Sequence, residues 1–182
     1  KKDLENTYHI YAVRGELSRA HVSTEKDVLL GDPISMINLV VNPKNIPKVR
    51  RIGYVPHVTE YLAAKKALGG RYHIIDPAND PMGVVADIAS CDRIISQSLH
   101  GLIVADAMNV PNIWMKPSSK MTGGAFKFDD YFSTVDGNKV AVSDYSELAA
   151  IDKSTHFIVS EYKYSKVDYI KNLINFSMRH FD

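Results

Sequence analysis

Residues 91–115, CDRIISQSLHGLIVADAMNVPNIWM, hold the clearest change of pattern along the chain. Residues 93–96 form a short β-branched run, 97–101 are polar and tight, and 102–108 are apolar at helical spacing. Val110 and Pro111 end that helix, and Asn112–Met115 begins a new strand. The stretch therefore predicts strand, turn, helix, strand. The same alternation leads into it. A strand over 51–55 stops at Pro56 and His57, and an amphipathic helix over 59–68 is closed by Gly69 and Gly70. Then come a strand over 72–75, a loop over 76–80 and a helix over 81–89 that starts with Pro81. Such alternation predicts an α/β fold, a Rossmann-like parallel sheet with right-handed crossovers and helices on both faces.

The two ends are less regular. Residues 8–13 (YHIYAV) read as a strand, Arg14 and Gly15 follow, and a short helix over 16–22 turns Leu17 and Val22 inward. A brief strand over 28–30 ends in Gly31-Asp32-Pro33. A helix over 34–39 follows, with Asp32 as N-cap and Pro33 at its first position. These first two strands join the main sheet or form a separate layer. Residues 42–47, polar and with two prolines, are a loop, and the basic 48–51 leads into the strand. Beyond Met115 lies a Lys- and Gly-containing loop over 116–127, KPSSKMTGGAFK. A short helix over 128–132, a late strand over 139–142 and a helical turn over 145–150 follow. A terminal helix over 165–181 sets Val167, Ile170, Ile174, Met178 and Phe181 on one stripe, the expected docking face toward the sheet.

Composition narrows the class. With 182 residues, 45% hydrophobic, 24% charged and a formal net charge of +1, the chain reads as one or two soluble domains. Charge gives no reason to expect a nucleic-acid partner. One cysteine, Cys91, excludes an internal disulfide and suits a reducing cytoplasm. The opening residues lead into no apolar signal region, and no apolar run nears the roughly 20 residues that span a bilayer. The expected location is therefore the cytoplasm. The seven histidines show no metal-ligand spacing, so no metal is expected.

Candidate chemistry gathers at turns that follow strands, because ligands of open α/β sheets bind at the carboxyl edge. Ser96, Ser98 and His100 sit where free backbone N–H groups and a helix dipole favour an anion; alternatively, the serines merely cap the helix. Arg14 has the same strand-to-helix placement, and its guanidinium can fork onto a carboxylate or phosphate. It could equally be a surface arginine in a turn. His57 ends another strand and is a cleft candidate. Asp32 is a weaker one, its capping role being the commoner. The lysines of 116–127 suit either phosphate or solvent, and the loop lacks a Walker A pattern.

The string SQSLHGLIVADAMNVPNIW resembles the signature of the polysaccharide pyruvyl transferase family. Three segments agree with it in order: VRGELSR at 13–19, GDP at 31–33 and IGYVPH at 52–57. FKFDDY at 126–131 is similar to bacterial exopolysaccharide members. The resemblance implies one half of a GT-B-like architecture of two Rossmann-like domains, this chain being similar to the carboxyl-terminal half. Residues 1–47 would then be the end of the preceding domain or a hinge-proximal segment, and 48–182 the carboxyl-terminal domain, unless 1–182 is one compact domain. The 182 residues alone are expected to be catalytically silent, since the acceptor would bind between two domains.

The family moves the pyruvyl group of phosphoenolpyruvate onto a sugar as a cyclic ketal, with no cofactor beyond that donor substrate. The resemblance assigns His100 as general acid and Arg14 as clamp on the donor's carboxylate or phosphate. Ser98 lies at the donor, Lys120 meets the phosphate, and Lys127 is the second choice. The acceptor would be a sugar or lipid-linked oligosaccharide of an exopolysaccharide or cell-wall polymer. It would be met at the inner face of the membrane, in peripheral association with polysaccharide assembly. Two rivals stand beside this reading: a GT-B glycosyltransferase using a nucleotide sugar, and a non-catalytic carbohydrate- or phosphate-binding domain.

Overall fold

The computed structural model describes residues 10–22, 28–119, 121, 123–137, 139–152 and 154–180. In chain order the elements are β1 (Ala12–Val13), α1 (Glu16–Arg19), β2 (Leu29–Leu30), β3 (Arg50–Val55), α2 (Tyr61–Leu68), β4 (His73–Ile74), α3 (Pro81–Ala89), β5 (Cys91–Ser96), α4 (Leu99–Ala107) and β6 (Asn112–Met115). They continue with α5 (Phe126–Phe132), β7 (Val135–Asp136), β8 (Ala141–Val142), α6 (Tyr145–Ala150), β9 (Glu161–Tyr162) and α7 (Lys166–His180). Two compact units result. One comprises Lys1–Pro33, Phe126–Asp136 and Glu161–Asp182; the other comprises Ile34–Ala125 and Gly137–Ser160.

The second unit is the predicted α/β layer. Its sheet has the order β4-β3-β5-β6-β8, and every pair is parallel. The first strand of this unit lies second in the sheet, so the chain reverses direction between β3 and β5. The register there pairs Tyr54 with Ile95 and Val55 with Ser96. Because strand side chains alternate between faces, neighbouring residues enter opposite cores. Val55 and Ile94 pack with Val85, Ile88 and Val104 of α3 and α4. Tyr54 and Ile95 pack with Ala64, Leu68 and Leu148 of α2 and α6. Both faces are covered, as a parallel sheet requires. The late strand expected over 139–142 is real at Ala141–Val142 and completes the sheet beside β6.

The first unit departs from expectation in several places. Its strands β1 and β2 form their own parallel pair, Ala12 opposite Leu29, rather than extending the main sheet. Helix α1 is a single turn, too short for an apolar face, so Leu17, expected inward, is 38% exposed. Helix α7 belongs to this unit instead of docking on the main sheet, and its inward line is Tyr169, Ile170, Leu173 and Phe176. Val167, Ile174 and Met178 of the expected stripe are exposed, and Phe181 lies outside the described residues. The cause is Tyr169, which is buried and donates its hydroxyl to Gly31 O at 3.0 Å, rotating the helix about this anchor. An antiparallel pair, β7 with β9, was not expected at all. In the second unit, the segment after Gly31-Asp32-Pro33 is likewise not the expected α-helix, since Pro33–Leu39 is a 3-10 helix. Among the described residues no helix is long and apolar enough to cross a membrane.

Candidate functional site

The sheet of the second unit has its topological switch between β3 and β5, and open α/β sheets bind ligands outside the carboxyl ends at that point. The loop after β3 carries His57 and Glu60; the loop after β5 carries Gln97, Ser98 and His100. Gln97 joins the two. Its amide oxygen accepts the backbone N–H of His57 at 3.1 Å and lies 3.5 Å from the Tyr54 hydroxyl, and Gln97 is 1% exposed.

Helix α4 is apolar on nearly every side, Asp106 near its end and His100 near its start excepted, which is the mark of a buried helix. Leu99 and Gly101 through Ala107 are all buried, and His100 in its first turn is the one exposed side chain. The helix lies close against the sheet because Gly101 has no side chain: a Cβ there would stand 2.3 Å from Ser96 Oγ and 3.1 Å from Val55 Cγ1. Ser96, wholly buried, shapes the turn by accepting Ser98 N–H at 3.1 Å and donating to Ser98 O at 2.8 Å. Ser98 is the N-cap, its hydroxyl accepting Gly101 N–H at 3.5 Å. Ser96 is thus structural, whereas Ser98 holds its cap bond at the long limit of such bonds. Beside His100 lies a groove of about 330 Å³. Its walls are mainly apolar, among them Met82, Val85, Ile88 and Val104, and Ser98 and His100 stand among its few polar members.

On the opposite face of the switch point a second set of polar groups meets. The half-buried Glu60 accepts from Gln97 Nε2 at 3.3 Å and from the Ser118 hydroxyl. Since Gln97 Oε1 faces two donors, its amide nitrogen must face the carboxylate. Burial, then Tyr145 and the Glu60 charge, push the Tyr54 phenol well above its ordinary range, and burial and Glu60 raise Tyr145. Both phenols therefore stay protonated. His57 is bound up locally: its Nδ1 caps the turn over Val58–Glu60, lying 2.8 Å from Thr59 Oγ1. The sequence reading missed Glu60 and Ser118 and gave Gln97 no role of its own. Their signal was faint: a carboxylate three positions after a strand-ending histidine, and a glutamine inside the turn.

Arg14, Asp32 and Lys127 belong to the first unit. Arg14 Nε bonds Asp32 Oδ2 at 3.1 Å, so two residues read separately from the sequence form one ion pair. The start of α1 is closed by protein groups: Ser133 Oγ accepts Glu16 N–H at 2.9 Å, and buried Asp130 accepts Ser18 N–H at 2.8 Å and Ser18 Oγ–H at 2.7 Å. Gly15 permits this approach, for a Cβ there would lie 1.9 Å from Asp130 O. The VRGELSR and FKFDDY segments are thereby one interlocked structure, and the N–H groups of Glu16 and Ser18 are taken up by Ser133 and Asp130. Lys127 lies over the ring of Phe128 at 5.4 Å, and Lys120 falls outside the described residues. Among the described residues no cluster of His, Cys, Asp or Glu is arranged to hold a metal.

A doubly wound parallel sheet with a histidine and a serine cap at its switch point defines an α/β protein of Rossmann-like build. The sequence model of the polysaccharide pyruvyl transferase family matches residues 1–119, and the chain belongs to that family. It is similar to the succinoglycan biosynthesis protein ExoV of Rhizobium meliloti (strain 1021), at 29% identity over 70% of this chain and 41% of that protein. It is also similar to the uncharacterized protein L143 of Acanthamoeba polyphaga mimivirus, at 24% identity over 83% of this chain and 61% of that protein. The chain spans less than two thirds of the length of either relative. No solved structure matches it significantly.

Proposed function

We propose that the protein is a ketal pyruvyltransferase that moves the pyruvyl group of phosphoenolpyruvate onto a sugar of a bacterial exopolysaccharide or cell-wall polymer. The observation that carries this reading is His100, the single exposed side chain of an otherwise buried helix at the switch point of a parallel sheet. Ketal formation needs a proton on the donor's methylene carbon, and histidine is the side chain suited to give one near neutral pH. Family membership and the likeness to a succinoglycan biosynthesis protein support the polysaccharide side of the reading.

In this reading Ser98 and the N–H groups of α4 receive an anionic group of the donor. Asp32 holds Arg14 through Nε, which leaves the paired Nη nitrogens to fork onto the donor's carboxylate or phosphate. Lys120 meets the leaving phosphate, with Lys127 as the alternative. The fold supports, as a further proposal, one Rossmann-like half of a GT-B-like architecture, with the hinge near residue 48. Its place of work is the cytoplasmic face of the membrane, where lipid-linked oligosaccharides are assembled.

The test is turnover of phosphoenolpyruvate by the full protein against a panel of lipid-linked and aryl sugars, read as phosphate release and as an acceptor bearing a pyruvyl ketal. His100→Ala should abolish turnover while donor affinity changes only a few-fold, since its work comes in the transition state. Arg14→Ala should weaken donor binding itself. Tight binding of a nucleotide sugar with no consumption of phosphoenolpyruvate would overturn the proposal.

A further inference from the structure

A carboxylate does not belong beside a donor that carries a carboxylate and a phosphate of its own, yet Glu60 is held firmly at the switch point. Gln97 and Ser118 both donate to it, and Gln97 is itself fixed by His57 N–H and lies against the Tyr54 hydroxyl. Like charges repel, so the natural partner of this carboxylate is a neutral hydrogen-bond donor, and a sugar hydroxyl is one. Its surroundings say the same. Tyr54 and Tyr145, both raised by burial and by Glu60, remain neutral phenols beneath it. Glu60 also lies near Tyr54 and Tyr145, on the α2/α6 side of β3, whereas His100 borders the groove on the α3 side, with Val55. His100 and Glu60 thus stand on opposite sides of the sheet at the switch point.

We propose that Glu60 is the acceptor-side base: its carboxylate binds the attacking sugar hydroxyl and takes its proton. This rests on the pyruvyl-transfer reading above. His100 gives a proton to C3 of the enolpyruvyl group, which becomes the methyl carbon. The hydroxyl oxygen bonds to C2 as its proton passes to Glu60. The C2–O bond to phosphate then breaks with its electron pair, and the second hydroxyl closes the ring. Of the two hydroxyl protons released, one restores His100 and the other leaves with phosphate, so atoms and charge balance. Gln97 and Ser118 are positioning residues that aim the carboxylate.

Glu60→Gln in the full protein is the test, because a glutamine can still accept from Gln97 and donate to Ser118 while being unable to take a proton. Donor affinity, measured by titration with phosphoenolpyruvate, should stay within about threefold. Turnover should fall roughly 10²–10⁴-fold, the usual worth of a general base, and the acid limb of the wild-type pH–rate profile should vanish. Ser118→Ala serves as a second variant should Glu60→Gln not fold. Removing a donor to a carboxylate disfavours its ionised form, so the acid limb should move to higher pH. Near-normal turnover by Glu60→Gln, an unchanged profile in either variant, or donor binding lost in step with turnover would each overturn the proposal. Wild-type protein that consumes no phosphoenolpyruvate would instead overturn the pyruvyl-transfer reading itself, so the two failures are separable.

Discussion

The two edges of the five-stranded sheet each carry a polar network, and they are built for different ends. At the amino edge Asp106 Oδ1 receives Lys139 Nζ at 2.9 Å, Asn112 Nδ2 at 2.8 Å and Ser160 N–H at 2.9 Å. Lys139 also donates to Asn112 Oδ1 at 2.6 Å, and the side chains of the ion pair are 2% and 0% exposed. Burial pulls the Lys139 ammonium below its ordinary value, and the Asp106 charge opposes that pull. The cluster pins residues 139 and 158–160 to the start of β6, where Asn112 N–H also donates to Ile158 O at 2.7 Å. At the carboxyl edge the partners are equally specific, yet Glu60 and His57 stay half-buried and His100 is exposed. A closed network can only stabilise. An open one keeps capacity for a ligand.

The largest test of this contrast is Asp106→Ala. It leaves a buried lysine without its counter-charge and the Ser160 N–H without its acceptor, although Lys139 keeps Asn112 Oδ1 and Asn112 keeps Val110 O. Removing one member of a buried pair costs about 3–5 kcal/mol. Urea unfolding at pH 7 should show that loss, with turnover per folded molecule unchanged. A loss below about 1 kcal/mol would mean the network is no more protected than a surface pair.

The same edge gives a pH test. Cys91, wholly buried at the start of β5, has its thiol pushed up from 9.0 to about 11, chiefly by burial. A raised value means the folded state holds its proton where the unfolded chain has lost it. Its contribution is therefore complete below pH 9 and lost as pH rises through about 11. At roughly 1.4 kcal/mol per unit, the stability difference between wild type and Cys91→Ala should shift by about 2–3 kcal/mol across that window. Denaturant titrations of both proteins at several pH values would read it, and a constant difference would contradict the burial argument.

At the open edge, Gly101→Ala probes how closely α4 must lie. Its Cβ would meet Ser96 Oγ, so overpacking should cost about 1–3 kcal/mol and displace the turn that carries His100. Thermal melting and donor titration should fall together; a stable variant with normal donor binding would show that the turn yields freely.

How much of this could be read from the sequence follows from the range of each interaction. The run from β5 through β6 was legible because its signals are local: a β-branched strand, a capping serine, an apolar helix and a proline stop. Helix α3 was legible for the same reason, with Asp80 as N-cap and Pro81 at its first position. The amino-edge network was not, since Asp106 finds its partners 6, 33 and 54 residues away and nothing at any one position announces the meeting. Strands β7 and β9 are two residues each and carry no period. The terminal helix was read by hydropathy, and a tyrosine hydroxyl bonded to a glycine carbonyl set its rotation instead. At the site, His100 and Ser98 stood out as the polar residues of an apolar helix start. Glu60 did not, because its meaning comes from Gln97 and Ser118.

The smallest effect sharpens the comparison most. Ser98→Ala removes the N-cap of α4, a loss that typically costs about 1 kcal/mol. Here the cap bond is 3.5 Å long and Ser98 is only half-buried, so water can take its place. We expect about 0.5 kcal/mol in urea unfolding, at the low end of the measured range for caps. If Ser98 also meets the donor, affinity for phosphoenolpyruvate should fall by more than that stability change, since a hydrogen bond to a charged group contributes about 1.5–3 kcal/mol. Losing one polar atom would then cost the fold heavily at the closed edge and the ligand at the open one. Equal losses in stability and affinity for Ser98→Ala would reduce the serine to a cap and leave His100 as the sole anion contact on this helix.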